Sequence, residues 1–176
     1  MLNVKNITLI YKVCAMKTEE LKISVRSYDN VKEMPDDSRM LIEMAKEATE
    51  NAWAPYSKFR VGAALLLENG KIITGNNQEN VAFPSGLCAE RVALFYASSQ
   101  YPGIPVHKIA LAAFADGKFV ERNVYPCGDC RQVLLEHENR VNHPMEIIMY
   151  GSEDIKVLSS VKDLLPLPFI YDLTSK

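Results

Sequence analysis

The sequence lacks an excess of positive charge and any long apolar run. Its 20 lysine and arginine residues are outnumbered by 22 aspartate and glutamate residues, so the formal net charge is -2. Nucleic-acid-binding domains usually carry a basic surface and a high isoelectric point, so a polynucleotide substrate is disfavoured. No stretch approaches the ~18 consecutive apolar residues of a transmembrane helix, and we expect no membrane partner.

The first 15 residues lack the uninterrupted apolar core of a secretory signal. Such a core needs about 7–15 apolar residues, whereas the apolar segment Ile7–Tyr11 is short and Lys12 follows it. We therefore expect a cytoplasmic protein. Met16 is an alternative candidate for the first residue of the chain.

Cysteine is scarce, and its four occurrences do not suggest a disulfide scaffold. A chain of 176 residues, 48% of them apolar, buries an adequate core without covalent crosslinks. In an intracellular protein, clustered cysteines more often bind a metal or carry out chemistry. The cysteines are Cys14, Cys88, Cys127 and Cys130.

Apolar periodicity alternates between the helical and the extended type along most of the chain. Spacings of three and four predict helices, continuous apolar runs predict strands, and Asn69-Gly70 predicts a hairpin turn. Strands that alternate with helices favour an α/β sandwich in which helices cover a mixed sheet. The predicted helices span about 36–52, 87–99 and 128–138, and the predicted strands span 61–67, 72–74, 109–115, 146–150 and 156–158.

The organisation predicted from this pattern is one domain with an appendage. Residues 1–35 are an N-terminal appendage of uncertain structure, in which only Leu21–Val25 has the pattern of a short strand. Residues 36–176 are predicted to form the main domain.

Three of the cysteines stand where helices are predicted to begin. Cys127 and Cys130 are three residues apart, which brings their sulfurs to one side of a turn, and Cys88 precedes the second helix. Helix N-termini favour thiolates, and thiolates are good zinc ligands. Three protein ligands with one open position are typical of a catalytic zinc site.

Two charged residues beside Cys88 have the chemistry that such a site needs. Glu90 is the candidate base for an activated water molecule. Because residues two apart on a regular helix point to opposite sides, Cys88 must then lie in the starting turn. Arg91 is placed to donate to a thiolate and offset its charge. Without this context, Glu90 would be a first-turn acid that favours the helix dipole, and Arg91 a surface cation.

Other interpretations of the cysteines remain open from the residues alone. Cys127 and Cys130 could form a reversible redox disulfide. Alternatively, a zinc ion could serve structure only, with a fourth protein ligand in place of a reactive water. The candidates for that fourth ligand are Cys14, His107, His137 and His143.

The motifs resemble those of zinc-dependent nucleobase deaminases, in which (His/Cys)-x-Glu is followed by Pro-Cys-x-x-Cys. This chain has Cys88-Ala89-Glu90 and Pro126-Cys127-Gly128-Asp129-Cys130. With cysteine in the first ligand position, this motif resembles that of the small homotetrameric cytidine deaminases, which act on free nucleosides. The resemblance covers roughly 41–169. It implies Zn2+, a free pyrimidine nucleoside as substrate, a role in pyrimidine salvage, and a three-layer α/β/α sandwich with a mixed five-stranded sheet.

The resemblance also implies roles for residues outside the metal motifs. Phe59 would pack at the substrate, and Asn77 and Glu79 would bind the ribose hydroxyls. The backbone of Ala89 would accept from the amine, and Phe169 would reach the active site of a neighbouring subunit in the tetramer.

Three residues depart from the family pattern. They are Arg60 in place of proline, Phe83 in place of tyrosine and Val92 in place of threonine. The hydroxyl lost at Phe83 keeps a related base or an aminonucleoside drug open as the substrate.

The reaction implied is hydrolytic deamination. Glu90 accepts the proton of a water activated by zinc, the resulting hydroxide attacks C4 of cytosine, and Glu90 returns protons to N3 and to the leaving amine. Polynucleotide editing and a non-enzymatic zinc protein are the competing hypotheses.

Overall fold

The computed structural model describes residues 16–171, which form one mixed sheet with helices on both faces. The strand order is β1-β7-β6-β4-β2-β3, with β5 beside β4. β4 and β6 run parallel, and the other pairs are antiparallel. The elements are β1 (Arg26–Tyr28), α1 (Asp36–Ala48), β2 (Arg60–Leu67), β3 (Ile72–Asn76), α2 (Ala89–Gln100), β4 (Val106–Ala115), β5 (Lys118–Phe119), α3 (Gly128–Val141), β6 (Glu146–Tyr150) and β7 (Ile155–Leu158).

Each face of the sheet has its own apolar core, because successive side chains of a strand point to opposite faces. In β4, Leu111 packs with Leu94 of α2 and Leu134 of α3. The adjacent Ala112 packs on the other face with Leu41 of α1. The three-layer α/β/α architecture and the mixed sheet are therefore confirmed.

Within residues 16–171 the sheet has seven strands, so the predicted number of five is wrong. The five expected strands are present as β2, β3, β4, β6 and β7. The two additional strands, β1 and β5, contain three and two residues. Elements this short show no measurable periodicity in the sequence. They are extended because they pair with β7 and β4.

The short strand predicted at Leu21–Val25 is also absent, since regular pairing begins at Arg26. β1 joins the sheet from within the predicted appendage, and the domain boundary at residue 35 stays a prediction. The segment Met1–Ala15, with Cys14 and the expected lack of a secretory core, lies outside the described residues. Within 16–171, no helix combines the length and the apolar character needed to cross a membrane.

The predicted hairpin is present between β2 and β3. Gly70 has φ 79°, and its N–H donates to the Leu67 carbonyl at 2.9 Å. Asn69 Oδ1 accepts from the Lys71 N–H at 3.1 Å. Glycine is needed here because only Gly70 of this turn occupies the left-handed region.

A network of charges joins β1 and α1 to the middle of the sheet. The ammonium of Lys108 lies 2.9 Å from Asp37 Oδ2, 3.1 Å from Ser38 Oγ and 3.4 Å from Glu146 Oε1. Arg26 Nη2 lies 2.6 Å from Glu146 Oε2. Lys108 is buried, so its charge depends on these partners.

The variant Lys108→Met should lower the free energy of unfolding by roughly 1–3 kcal/mol at pH 7, because two carboxylates lose their shared cation. Partial burial raises the pKa of Asp37, but the hydrogen bond and charge of Lys108 lower it overall. A carboxylate with a lowered folded-state pKa stabilises above its unfolded pKa. The difference between the two proteins in urea unfolding should therefore shrink as the pH falls below about 4.

Lys118→Met provides the matched control, because it removes only an exposed pair with Glu121. Its unfolding midpoint should not change. An equal loss in both variants, or a loss at Lys108 that does not depend on pH, would contradict the proposed role of the network.

Candidate active site and metal centre

Two helix N-termini place the three cysteines. Cys88 is the N-cap of α2, with φ -71° and ψ 156°, and Cys127 is the N-cap of α3, with φ -66° and ψ 170°. Cys130 follows in the first turn of α3. Cys88 therefore lies outside the regular helix. On a regular helix its side chain and that of Glu90, two residues later, would point to opposite sides. Both helices cover the same face of the sheet, so their N-termini meet.

The three sulfurs have the spacing of a zinc site. Cys88 Sγ and Cys127 Sγ are 3.7 Å apart, and all three sulfurs lie within 4.8 Å of one another. A tetrahedral ion with Zn–S bonds of ~2.3 Å requires sulfur separations of ~3.8 Å. Cys130 is buried and Cys127 is exposed, so the centre lies at the protein surface. The donor set and its spacing fit Zn2+.

Within residues 16–171 the cluster has three candidate ligands and no fourth. His137 Nε2 accepts from the Val106 N–H at 3.3 Å, and burial followed by the charge of Arg140 lowers its pKa to about 4. The rings of His107 and His143 lie 5.9 Å from each other. A centre with three ligands favours a catalytic over a structural metal.

The guanidinium group of Arg91 lies between the cysteine cluster and the carboxylate of Asp129. Its Nη2 lies 3.9 Å from Cys88 Sγ, and its Nη1 lies 3.8 Å from Asp129 Oδ2. The hydrogen bond from Cys130, together with Arg91, lowers the pKa of Cys88 to about 5 against the opposing effect of burial. The same hydrogen bond raises the pKa of Cys130. Cys88 therefore ionises more readily than Cys130.

Glu90 is the second residue of α2 and is 5% exposed. Burial raises its pKa, and the negative charge of Cys88 raises it further. Desolvation disfavours the charged carboxylate, so Glu90 binds a proton more tightly than an exposed glutamate does. A carboxyl group in such surroundings is able both to accept and to return a proton.

A cleft of about 560 Å³ opens next to the cluster. Of the predicted site residues, Asn77, Glu79, Cys88 and Arg91 line it. Glu90 and the other two cysteines do not line it, so the cleft meets the metal centre at Cys88. The remaining lining residues are Tyr56, Ser57, Gln78, Asn80, Phe83, Gly86 and Leu87.

Asn77 fixes the start of β2 beside the cleft. Asn77 Oδ1 accepts from the Val61 N–H at 2.8 Å, and its Nδ2 donates to the Phe59 carbonyl at 2.9 Å. Phe59 itself is half-buried and does not line the cleft.

Glu79 binds the backbone of two other residues that line the cleft. Glu79 Oε2 accepts from the N–H groups of Tyr56 at 2.9 Å and Ser57 at 3.3 Å. A hydrogen bond with the Ser57 side chain, followed by these two backbone hydrogen bonds, lowers the pKa of Glu79 and keeps the carboxylate ionised. The sequence did not reveal these contacts, because they join residues more than 20 positions apart.

Ala89 and Phe169 lie away from the cleft lining. Ala89 is fully buried at the start of α2. Phe169 is 74% exposed, and its carbonyl accepts from Gln132 Nε2 at 2.9 Å. A single chain therefore does not bring the Phe169 ring to its own cleft.

Arg131 is a site residue that the sequence reasoning missed. Its Nε donates to the Pro126 carbonyl at 2.9 Å, and its Nη1 donates to the Leu164 carbonyl at 3.0 Å. It thus ties the turn before Cys127 to the C-terminal segment. The available signal was its spacing, since Arg131 follows Cys127 by four residues and shares a helix face with it.

The fold and the centre together define a class, the zinc-dependent nucleobase deaminases. The family profile for the cytidine and deoxycytidylate deaminase zinc-binding region matches residues 35–143. A cytidine deaminase of Halalkalibacterium halodurans is 48% identical over 100 residues, which cover 57% of this chain and 71% of the relative. One from Mycobacterium tuberculosis is 41% identical over 116 residues, covering 64% and 83% of the two chains.

A solved structure agrees with these relatives. The crystal structure of cytidine deaminase from Burkholderia pseudomallei superposes with a TM-score of 0.64 at 40% identity, covering 77% of this chain and all of the other. The chain belongs to the cytidine and deoxycytidylate deaminase family. The family's zinc-binding region and the cluster of three cysteines identify Zn2+ as its cofactor.

The variant Arg131→Met should bind zinc less tightly, because the carbonyl before Cys127 loses its donor. Loss of a group that orients a metal ligand typically costs about 10- to 100-fold in affinity. The rate of zinc transfer to a coloured chelator measures this, and we expect an increase of at least ~10-fold.

Gln132→Met is the matched control, since the structure shows Gln132 bonded to the carbonyl of Phe169. Its zinc transfer should proceed at the wild-type rate. The role assigned to Arg131 would be wrong if both variants released zinc equally fast.

Proposed function

We propose that the protein hydrolyses free cytidine and deoxycytidine to uridine and deoxyuridine, with release of ammonia, in cytoplasmic pyrimidine salvage. The observation that carries the proposal is the buried Glu90 next to three sulfurs at zinc spacing. The relatives named as cytidine deaminases support the choice of substrate. The centre meets, at Cys88, a cleft large enough for a nucleoside.

Zinc held by Cys88, Cys127 and Cys130 would supply Lewis acidity, which lowers the pKa of a nearby water molecule. A carboxylate oxygen of Glu90 accepts the proton of that water as its oxygen attacks C4 of the cytosine. Glu90 then donates this proton to N3. It carries the second proton of the water to the exocyclic amine, which leaves as ammonia, and the water oxygen becomes O4 of the product. The raised pKa of Glu90 suits both directions of transfer.

Substrate binding is assigned to the wall of the cleft. Asn77 and Glu79 bind the sugar hydroxyls, since an amide and a carboxylate keep further hydrogen-bonding capacity beyond their backbone contacts. The family resemblance adds two residues that do not line the cleft in the single chain: Phe59, which would pack at the substrate, and Ala89, whose backbone would accept from the amine. Arg91 offsets the charge of the thiolates.

We further propose a homotetramer with shared active sites, in which Phe169 reaches the cleft of a neighbouring subunit. The exposed aromatic and aliphatic side chains of the C-terminal segment support this arrangement, because contiguous apolar surface marks a contact with a partner. Leu167 is 84%, Phe169 74%, Ile170 64% and Tyr171 72% exposed.

A related base or an aminonucleoside drug is the second candidate substrate. Phe83 lines the cleft and packs edge-to-face on Tyr56, with ring centroids 5.6 Å apart. Phe83 contributes no hydroxyl group to this part of the wall.

The variant Glu90→Gln tests the proposal directly. It removes the proton acceptor but keeps the shape of the side chain, so zinc content and unfolding midpoint should not change. The turnover number should fall roughly 1,000-fold or more. The loss of cytidine ultraviolet absorbance measures turnover, and metal is assayed on the same sample.

Cys127→Ala should behave differently, because it loses zinc and stability together with activity. Substantial turnover by Glu90→Gln would refute the assignment of the base. Wild-type protein that contains one zinc per chain, but acts on neither nucleoside, would favour the second candidate substrate.

A further inference from the structure

Residues 16–25, called the arm below, leave the sheet immediately before β1 and are exposed at every position. Leu21, Ile23 and Val25 expose 60%, 46% and 51% of their surface. They alternate with Lys22 and Ser24, which is the pattern of a strand with one apolar and one polar face. The arm thus has the alternating pattern of a half-buried strand, but its apolar side chains are exposed.

The end of the neighbouring strand explains why the arm has no pairing partner among the described residues. β1 pairs antiparallel with β7, with Arg26 opposite Val157. Continuing this register would place Ser24 opposite Ser159, but β7 ends at Leu158 and the chain turns into the 3-10 helix Val161–Asp163. The arm therefore extends beyond the sheet. β1 is also the last strand of the sheet, so its outer edge is open within residues 16–171.

The arm lies outside the part of the chain that matches the family. The family profile begins at residue 35. The Burkholderia pseudomallei structure is covered completely by 77% of this chain. The family profile therefore does not include the arm.

We propose that the arms of two copies of this chain pair as antiparallel strands about a two-fold axis at Ile23. In this register Ile23 faces its counterpart, and Leu21 faces Val25 on the same apolar side. On the polar side, Glu20 faces Arg26 and Lys22 faces Ser24. Apolar pairs and opposite charges directly across two strands stabilise the pairing, and the two-fold axis forms each unlike pair twice.

Charge selects this register over its neighbours. An axis at Lys22 would place two lysines directly opposite each other. An axis at Ser24 would place Lys22 opposite Arg26. Like charges directly across a strand pair destabilise it. The complementarity of the segment with itself is the reason to assign a second copy of this chain, rather than a different protein, as the occupant.

The pairing would also continue the sheet from one copy into the other. With the axis at Ile23, Glu20 of one arm lies beside Arg26 at the start of β1 in the other. The open edge of β1 then gains backbone hydrogen bonds, which an exposed strand edge otherwise leaves to water.

Cysteine crosslinking tests the register in the full-length zinc-bound protein with Cys14→Ser as background. Ile23→Cys places the new sulfur opposite itself, at a Cβ separation of about 4.5–5.5 Å, and a small approach of the two strands brings it to the ~3.5–4.5 Å of a disulfide. Under mild oxidation we expect most chains to become disulfide-linked dimers that a reductant separates. The readout is chain mass under non-reducing denaturing conditions.

The controls are Lys22→Cys and Ser24→Cys, which face each other but not themselves. Each alone should crosslink at least ~10-fold more slowly than Ile23→Cys, and an equal mixture of the two should crosslink readily. Failure of Ile23→Cys to crosslink, or equal rates for all single variants, would overturn the proposal. Deaminase activity is assayed separately on the same samples and should not change, so the two proposals fail independently.

Discussion

The close packing of α2 against the sheet is the constraint on which the rest of the site depends. A Cβ at Gly75 of β3 would lie 2.6 Å from the Ala93 backbone nitrogen and 2.8 Å from the Ala89 carbonyl oxygen. No side chain fits there, so the first turn of α2 rests directly on the strand. This contact places Cys88 and Glu90 relative to β3, and α3 packs on the same face of the sheet, where the three sulfurs lie within 4.8 Å of one another.

Electrostatics at the centre then follows from where the helices begin. Thiolates collect at two helix N-termini, where unpaired N–H groups favour negative charge, and Arg91 adds a cation beside Cys88. Glu90 is the second residue of α2 and is almost fully buried. Desolvation of its carboxylate therefore outweighs the favourable effect of the helix N-terminus and raises its pKa. One short segment thereby combines a readily ionised thiol with a carboxyl group that retains its proton more tightly.

The sequence predicted what is encoded locally. The pairs Cys127–Cys130 and Cys88–Glu90 could be found because each has the spacing of a single turn, whereas the meeting of the two pairs depends on the fold. The three helices and five longer strands could be found from periodicity. The backbone contacts of Asn77 and Glu79 and the strand β1 could not, because each depends on a partner distant in the chain. The segment 21–25 shows the reverse case, a strand pattern that has no pairing partner among residues 16–171.

The strand order separates catalysis from the N-terminal edge of the molecule. β1 stands at one end of the sheet, and β3, which supports α2 and the metal centre, stands at the other. Five steps of ~4.8 Å between neighbouring strands put these edges ~24 Å apart. A contact made through the arm therefore leaves the cleft accessible, while the exposed C-terminal segment lies along α3 near the cysteines. The two proposed association surfaces therefore lie on different parts of residues 16–171, and of these two the C-terminal surface lies nearer the metal centre.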